Sequence, residues 1–309
     1  MSVATAPLRS NGYVCTKKQP NLPMRRAPAP FQTDKQRHDR AGRHRPQPAP
    51  PPVGDKARHN RTVAVAALRG PGDYFNAQGQ RIRHVPGGSQ IRVVASNDVR
   101  LLSQVNVHEG RNLKLVADIV AHYANGVLGY PGSYGASNAH GEEAIAYTLD
   151  EDHTYLAANK AGFVRPDIDD YHNLMSVLNH ERNHRDDDHR RVNPTFATHF
   201  DVYLRQFKDP SFAATTQYFK LGETANAVRY LYNDYMTGRP HYQQLGFSDA
   251  IDALNQVLEQ YDMRVWANPD SRDSTEFSIE YLKLRVANGR HWTEKLSVPC
   301  KVTRRKDAR

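Results

Sequence analysis

The residues with the clearest chemical meaning are His180, Glu181 and His184, which stand in the order H-E-x-x-H. Side chains four residues apart share one face of a helix, so both imidazoles could bind the same divalent metal ion. The glutamate beside the first histidine could reach a water molecule on that metal and take its proton. Chance gives this pattern only roughly 0.02 times in a chain of this composition. We therefore interpret it as a site for zinc-dependent hydrolysis.

The spacing of the two histidines is useful only on a helix, and the sequence predicts one over residues 168–187. Acidic residues at its start suit the positive end of the helix dipole. Apolar residues recur at helical spacing and predict a buried face. These apolar residues are Tyr171, Leu174, Met175 and Leu178. The imidazoles are therefore expected on a helix that packs against a core.

A catalytic zinc ion usually has three protein ligands and one open position, so a third ligand must lie elsewhere. A second helix is predicted from Asn193-Pro194 to a point near Pro210, and it carries His199 and Asp201. These two residues flank opposite sides of its apolar stripe, so periodicity alone does not choose between them. We favour His199, because imidazole suits zinc and because Tyr203 lies on the same side of the helix.

Tyr203, one turn beyond His199, could donate a hydrogen bond to the oxyanion that develops during hydrolysis. Core packing is the competing interpretation of this tyrosine. Two further residues stay open as the third ligand. His189 follows the acidic run 186–188, where no glycine is present to permit a sharp turn. Glu223, on a later predicted helix, is a possible carboxylate ligand.

The remaining sequence predicts a mixture of strands and helices. The expected elements are a strand at 91–94, helices at 111–125, 218–236 and 247–262, and two short strands within 141–159. Asn288-Gly289, between two runs of alternating apolar residues, predicts a C-terminal β-hairpin. Together these elements indicate an α+β domain with a short sheet, a helical lower half and an active-site helix.

Charge and proline content divide the chain into two parts. Residues 1–62 hold 13 basic and 3 acidic residues and 10 of the 19 prolines, whereas residues 63–309 have a net charge of −1. Few large aliphatic residues occur in the first part, so we predict a disordered tail. Residues 63–309 are then the catalytic domain with its C-terminal hairpin region. The tail is either a solvated spacer or an arm that docks on an acidic partner, a nucleic acid or a secretion apparatus.

Several classes of protein are disfavoured by what the sequence lacks. Cys15 and Cys300 stand near opposite ends of the chain and offer neither a disulfide framework nor a thiolate metal cluster. No stretch approaches about 18 consecutive apolar residues, so no membrane span is predicted. The N-terminal residues lack the apolar core of a signal peptide. We expect a protein that is cytosolic or exported without a signal peptide.

The segment 180–184 resembles the active helix of zincin-type metallopeptidases. The resemblance implies a zinc ion, a third ligand from a second helix, for which His199 fits best, and an upstream strand that binds extended substrate. Residues 146–149 or 153–156 could form that strand. The chain departs from the metzincin subgroup, because residues 185–189 lack its glycine and third histidine. It also lacks the Asn-Glu-x-x-Ser-Asp helix of another subgroup.

With its Pro/Arg-rich tail, the chain is similar to bacterial toxin or effector metallopeptidase domains. This resemblance implies a zinc metallopeptidase that acts on proteins or peptides, is made in a bacterial cytoplasm and is then exported. A secretion machinery, a chaperone or an immunity protein would be its partner. One alternative is a metal-dependent nuclease or nucleic-acid-binding protein, supported by the basic tail and the run 186–189. The net charge of residues 63–309 argues against an extended phosphate-binding surface. Another alternative is a non-catalytic module, in which the two histidines bind structural zinc or lie on a solvated helix face.

Overall fold

The computed structural model describes most of the chain from Gly70 onward. The described residues are 70–95, 98–137, 145–148, 152–192, 196–236, 247–268, 274–287 and 290–303. Three expectations fall outside them, namely the disordered tail, the helix start at Asn193-Pro194 and the hairpin turn at Asn288-Gly289.

The described strands form three small sheets. The first contains β1 (Gly72–Phe75), β2 (Arg81–Val85), β3 (Ile91–Ala95) and β4 (Asp98–Leu101) in the order β2-β1-β3-β4, with β1 parallel to β3. The second contains β5 (Ser133–Ser137), β6 (Ala146–Thr148) and β7 (His153–Ala157) in the order β5-β7-β6. The third contains β8 (Met263–Asn268), β9 (Ser274–Ala287) and β10 (Arg290–Thr303) in the antiparallel order β10-β9-β8.

The described α-helices alternate with these sheets along the chain. They are α1 (Asn112–Ala121), α2 (Tyr171–His189), α3 (Phe196–Lys208), α4 (Pro210–Ala213), α5 (Gln217–Met236) and α6 (Phe247–Leu258). A π-helical segment, His122–Val127, continues α1. Within the described part of the chain, no helix has both the length and the apolar character needed to cross a bilayer. The expected α+β fold is confirmed, with three short sheets where the sequence pattern indicated one.

Helix α2 begins later than the periodicity predicted. Pro166–Asp169 forms a short 3-10 turn, and Asp170 then adopts an extended conformation as the N-cap. Its carboxylate accepts hydrogen bonds from the backbone N–H groups of His172 (2.9 Å) and Asn173 (3.2 Å). This cap satisfies two of the N–H groups that have no partner inside a helix, so it fixes where α2 starts.

The chain reverses sharply after α2 without a glycine. Arg191 adopts a left-handed conformation with φ of 56°, and the N–H of Val192 donates to the carbonyl of Asp187 (2.9 Å). Helix α2 continues through His189, so the expectation of no sharp turn within the acidic run 186–188 is confirmed, and the turn comes only at Arg191. The turn allows α3 to return beside α2, and an ion pair between Arg205 and Asp187 (2.5 Å) joins the two helices.

The apolar stripes of α2 and α3 enter one continuous core. Leu174, Leu178, Phe200 and Phe207 are buried in it. Removing such a side chain from water contributes about 1.5–3 kcal/mol, so these contacts hold the two helices together. Their packing decides which polar side chains of α2 and α3 face each other.

Candidate metal centre and active site

Three imidazoles converge where α2 meets α3. The Nε2 atom of His180 lies 3.2 Å from that of His184 and 3.2 Å from that of His199, and the last two atoms are 3.3 Å apart. Nitrogen ligands at ~2.0–2.1 Å from a tetrahedral zinc ion are about 3.3–3.4 Å from one another. The spacing fits such an ion, and these three residues could hold a metal.

The surroundings keep two of the three rings in the neutral form that a metal requires. Burial lowers the pKa of His180 to about 4, which outweighs the opposite effect of its hydrogen bond to Gln206. Burial, followed by the neighbouring His184 and His180, lowers the pKa of His199 well below its ordinary value. At neutral pH both rings are therefore uncharged and retain a lone pair for coordination.

Gln206, fully buried on α3, determines which nitrogen of His180 faces the cluster. Its amide nitrogen donates to the hydroxyl of Ser176 (3.0 Å), so its carbonyl oxygen accepts from Nδ1 of His180 (2.9 Å). This places the proton on Nδ1 and leaves Nε2 as the coordinating atom. No sequence signal indicated this role of Gln206.

The carboxyl group of Glu181 contacts β6. The hydroxyl of Thr148 donates to its Oε2 atom (2.8 Å). Burial raises the pKa of Glu181 to about 7, which outweighs the opposite effect of the Thr148 hydrogen bonds. A carboxyl group with a pKa near neutrality is suited to accept and return a proton. Sequence reasoning missed Thr148, because its contact with α2 joins residues 33 apart in the chain.

Two tyrosines pack against the histidines. Tyr203 is 1% exposed, and its ring centroid lies 4.6 Å from that of His180 and 5.4 Å from that of His199. Tyr230 on α5 is only partly buried, and it stacks on His199 at 3.9 Å with an interplanar angle of 20°. Sequence reasoning missed Tyr230, because periodicity does not reveal which helix packs against α3.

The alternative third ligands lie apart from the histidine cluster. Asp201 is exposed on α3, and His189 is the last residue of α2. Glu223 is buried on α5, where it accepts hydrogen bonds from Gln206 (3.5 Å) and Asn226 (3.4 Å). Over the described ranges, the one group of three or more potential metal ligands is the His180, His184 and His199 cluster. The geometry thus favours His199 among the candidates.

Replacing Glu223 with glutamine should change how stability depends on pH. Burial raises the pKa of Glu223 to about 7 from an ordinary value of 4.5. The stability that the neutral carboxyl contributes is fully present below the unfolded-state pKa and is lost as the pH rises through the folded-state value. In the wild type, the free energy of unfolding is expected to decline between about pH 5 and 8 as Glu223 ionises. Glutamine does not ionise, so Glu223→Gln should remove roughly 3 kcal/mol of this decline. Urea unfolding of the metal-free protein at both pH values measures this difference.

Glu259→Gln is the matched control for this prediction, because Glu259 is exposed. That variant should follow the wild-type dependence on pH. If the free energy of unfolding of Glu223→Gln declined with pH as steeply as that of the wild type, the buried carboxyl group would not be the source of the decline.

An α+β domain with three converging imidazoles beside a buried carboxyl has the architecture of a metallohydrolase. A family model described as metallopeptidase toxin 2 matches residues 73–263, and the chain belongs to this family. The resemblance to toxin metallopeptidase domains is thereby confirmed. Comparisons with curated proteins and with solved structures gave no match. The matched region ends at the first residue of β8, so β9 and β10 lie beyond it.

Proposed function

We propose that this metallopeptidase toxin uses a zinc ion held by His180, His184 and His199. The observation that carries the proposal is the triangle of Nε2 atoms, whose sides fit nitrogen ligands on a tetrahedral ion. A set of imidazoles favours zinc over magnesium or calcium, which prefer oxygen ligands. When bound, zinc supplies a Lewis acid that polarises a carbonyl group and lowers the pKa of a coordinated water towards about 7.

Glu181 is the general base in this proposal. Its carboxylate takes the proton of the attacking water and then passes it to the leaving amine. Thr148 holds the carboxylate in place through its hydroxyl. A divalent cation nearby favours the charged form of a carboxyl group, so the loaded protein keeps Glu181 ionised at neutral pH.

The proposed substrate is a polypeptide bound in extended form along β6. In the described part of the second sheet, β6 is an edge strand, whereas β7 is paired on both sides. An extended peptide adds to the edge of a sheet through backbone hydrogen bonds, and β7 has no free edge at which to form them. Thr148 of β6 contacts Glu181, so a peptide along this edge would pass beside the general base. Of the two strands expected from the sequence, the topology favours the first.

Metal removal tests the proposed function directly. Protein loaded with zinc and then dialysed should retain about one zinc per chain and should cleave an unfolded protein substrate. A chelator should abolish cleavage, and added zinc should restore it. Protein that retains no stoichiometric zinc, or cleavage that survives complete chelation, would contradict a zinc peptidase.

Separate substitutions of the two tyrosines should distinguish packing from stabilisation of the oxyanion. The sequence left Tyr203 open between the oxyanion contact and core packing; its complete burial favours packing, and we propose the more exposed Tyr230 as the donor. We expect Tyr230→Phe to lower kcat by about 10²–10³-fold with little change in KM. Tyr203→Phe should stay within a few-fold of the wild type. Steady-state kinetics on one peptide substrate measures both, and the reverse ranking would support Tyr203.

The proposed setting is a bacterial toxin that is exported from the cytoplasm, with a secretion machinery, a chaperone or an immunity protein as its partner. The basic tail supports docking on an acidic surface. Recovery of the intact chain from the medium of the producing cells would support this route, and its retention in the cytoplasm would oppose it.

The family assignment favours the peptidase over the nuclease alternative. Two aspartates that supported a nuclease, Asp186 and Asp187, form ion pairs with Arg182 and Arg205.

A further inference from the structure

The third sheet extends beyond the family match as a two-stranded ribbon. β8 pairs with β9 only as far as Tyr281, and from there to the turn β9 pairs with β10 alone. We call this part, residues 282–287 with residues 290–295, the ribbon. An isolated two-stranded hairpin is marginally stable at best in water, so a ribbon of this length is expected to gain stability from a partner.

The ribbon exposes large apolar side chains to solvent. Leu282, Leu284 and Trp292 are 45%, 64% and 48% exposed. Leu282 and Leu284 lie on one face, and Trp292 lies on the opposite face beside its cross-strand neighbour Arg285. Tryptophan is enriched at protein–protein interfaces, and Trp292 stands on β10, where a strand added to the outer edge would meet it.

Charge separates the ribbon from the rest of the domain. Residues 63–281 contain 20 basic and 28 acidic residues, a net charge of −8, whereas the ribbon contains 4 basic residues and 1 acidic residue, a net charge of +3. Lys283 and Arg290 are exposed on the ribbon itself. Arg285 and Lys295 are in ion pairs with Glu294 and Glu280, and the remaining positive charge on an otherwise acidic domain attracts an acidic partner.

The outer edge of β10 has backbone groups that could extend the sheet. Within the described residues, β10 is at one edge of the sheet, and no strand pairs with its outer side. Pro299 has no N–H, so its nitrogen must face outward from the ladder that β10 makes with β9. Backbone groups of an antiparallel strand face the two sides alternately, so N–H groups at every second position from His291 to Ser297 face outward as well.

From these features we propose that the ribbon is a docking site for an acidic, extended polypeptide segment that pairs with the outer edge of β10. The segment would add a fourth strand, cover part of the exposed Trp292 and place carboxylates beside Arg290. A nucleic acid offers no peptide groups to complete a β-ladder with the outward N–H groups of β10, so a polypeptide is favoured. This surface is separate from the histidine cluster and does not depend on the proposed zinc chemistry.

Fluorescence anisotropy of the full-length protein with a short labelled peptide tests the proposal. In the peptide, glutamate alternates with valine, and a matched peptide carries lysine in place of glutamate. We expect the glutamate peptide to bind at least about tenfold more tightly, a difference of about 1.4 kcal/mol. Hydrogen exchange should show that this peptide protects the amides of Thr293, Lys295 and Ser297.

Variants separate strand pairing from simple charge attraction. Thr293→Pro removes an outward N–H without removing a bond to β9, and it should weaken binding about tenfold. Thr293→Val keeps the N–H and should bind as the wild type does. The double variant Lys283→Glu/Arg290→Glu should also weaken binding about tenfold. The same charge change in the tail, Arg25→Glu/Arg26→Glu, should have little effect.

Three results would overturn the proposal. The first is equal binding of the glutamate and lysine peptides, or no binding of either. The second is binding that the tail variant abolishes and the ribbon variants do not. The third is that a single-stranded oligonucleotide binds the ribbon more tightly than the glutamate peptide does, and that Thr293→Pro and Thr293→Val bind it equally well. The ribbon would then be a nucleic-acid surface.

Discussion

Glu181→Gln should lower kcat/KM for peptide cleavage by about 10²–10⁴-fold while the protein still binds one zinc ion per chain. The amide is close in size to the carboxylate and can still contact Thr148, but it cannot accept the proton of water at neutral pH. Glu181 contacts Thr148 of β6 and is not among the three grouped ligands, so its replacement should remove no ligand from the metal. Steady-state kinetics and metal analysis on the same preparation test both parts of this expectation.

Glu109→Gln is a matched control, since Glu109 is exposed and lies outside the cluster. It should retain wild-type activity and metal content. Loss of zinc in Glu181→Gln would mean that the carboxylate is a ligand, and an unchanged kcat/KM would exclude it as the general base. DNA cleavage that requires Mg²⁺ and persists in Glu181→Gln would support the nuclease alternative.

His199→Ala should weaken zinc binding by roughly 10²–10³-fold, because it removes one of three protein ligands. Structural zinc sites with four ligands are worth about 10–16 kcal/mol, or about 2.5–4 kcal/mol for each ligand. Zinc competition with a chromogenic chelator at constant pH measures this loss without reference to activity. Added zinc should also raise the thermal stability of the variant less than that of the wild type, since the gain follows the dissociation constant.

Asp201→Ala separates the two candidates that the helix pattern left open. Asp201 lies two residues beyond His199 but is exposed, so its removal should leave zinc affinity unchanged. If Asp201→Ala lost zinc and His199→Ala kept it, the third ligand would have been assigned to the wrong side of α3. This pair of variants also tests how α3 is rotated against α2.

The two sets of variants fail in different ways. Loss of cleavage with retained metal identifies a residue that handles the proton, whereas loss of both identifies a ligand. In a non-catalytic zinc module, His199→Ala would still weaken zinc binding. The wild-type protein would then have no peptidase activity for Glu181→Gln to reduce. The comparison therefore distinguishes a peptidase from a structural zinc site.

The sequence by itself determined the parts of the site that local geometry controls. His180 and His184 share a face because residues four apart always do so in a helix, and Glu181 must then point to another side. For the same reason, the helical spacing of apolar residues predicted the bounds of α2, α3, α5 and α6 along the chain to within a few residues. The acidic body and the basic C-terminal part were also present in the sequence, but the net charge of −1 over residues 63–309 concealed the contrast.

Tertiary structure decided every contact between elements. The turn at Arg191 sets α3 against α2, and only this packing brings His199 to the pair of histidines and turns Asp201 outward. Thr148 and Tyr230 come from a strand and a helix distant in the chain, so no periodicity could link them to the site. Strand order likewise made β6 an edge and β7 a centre, although the two segments look alike as sequence. The physical reason is that spacing along the chain fixes the direction of a side chain within one element, whereas core packing and sheet pairing fix which elements meet.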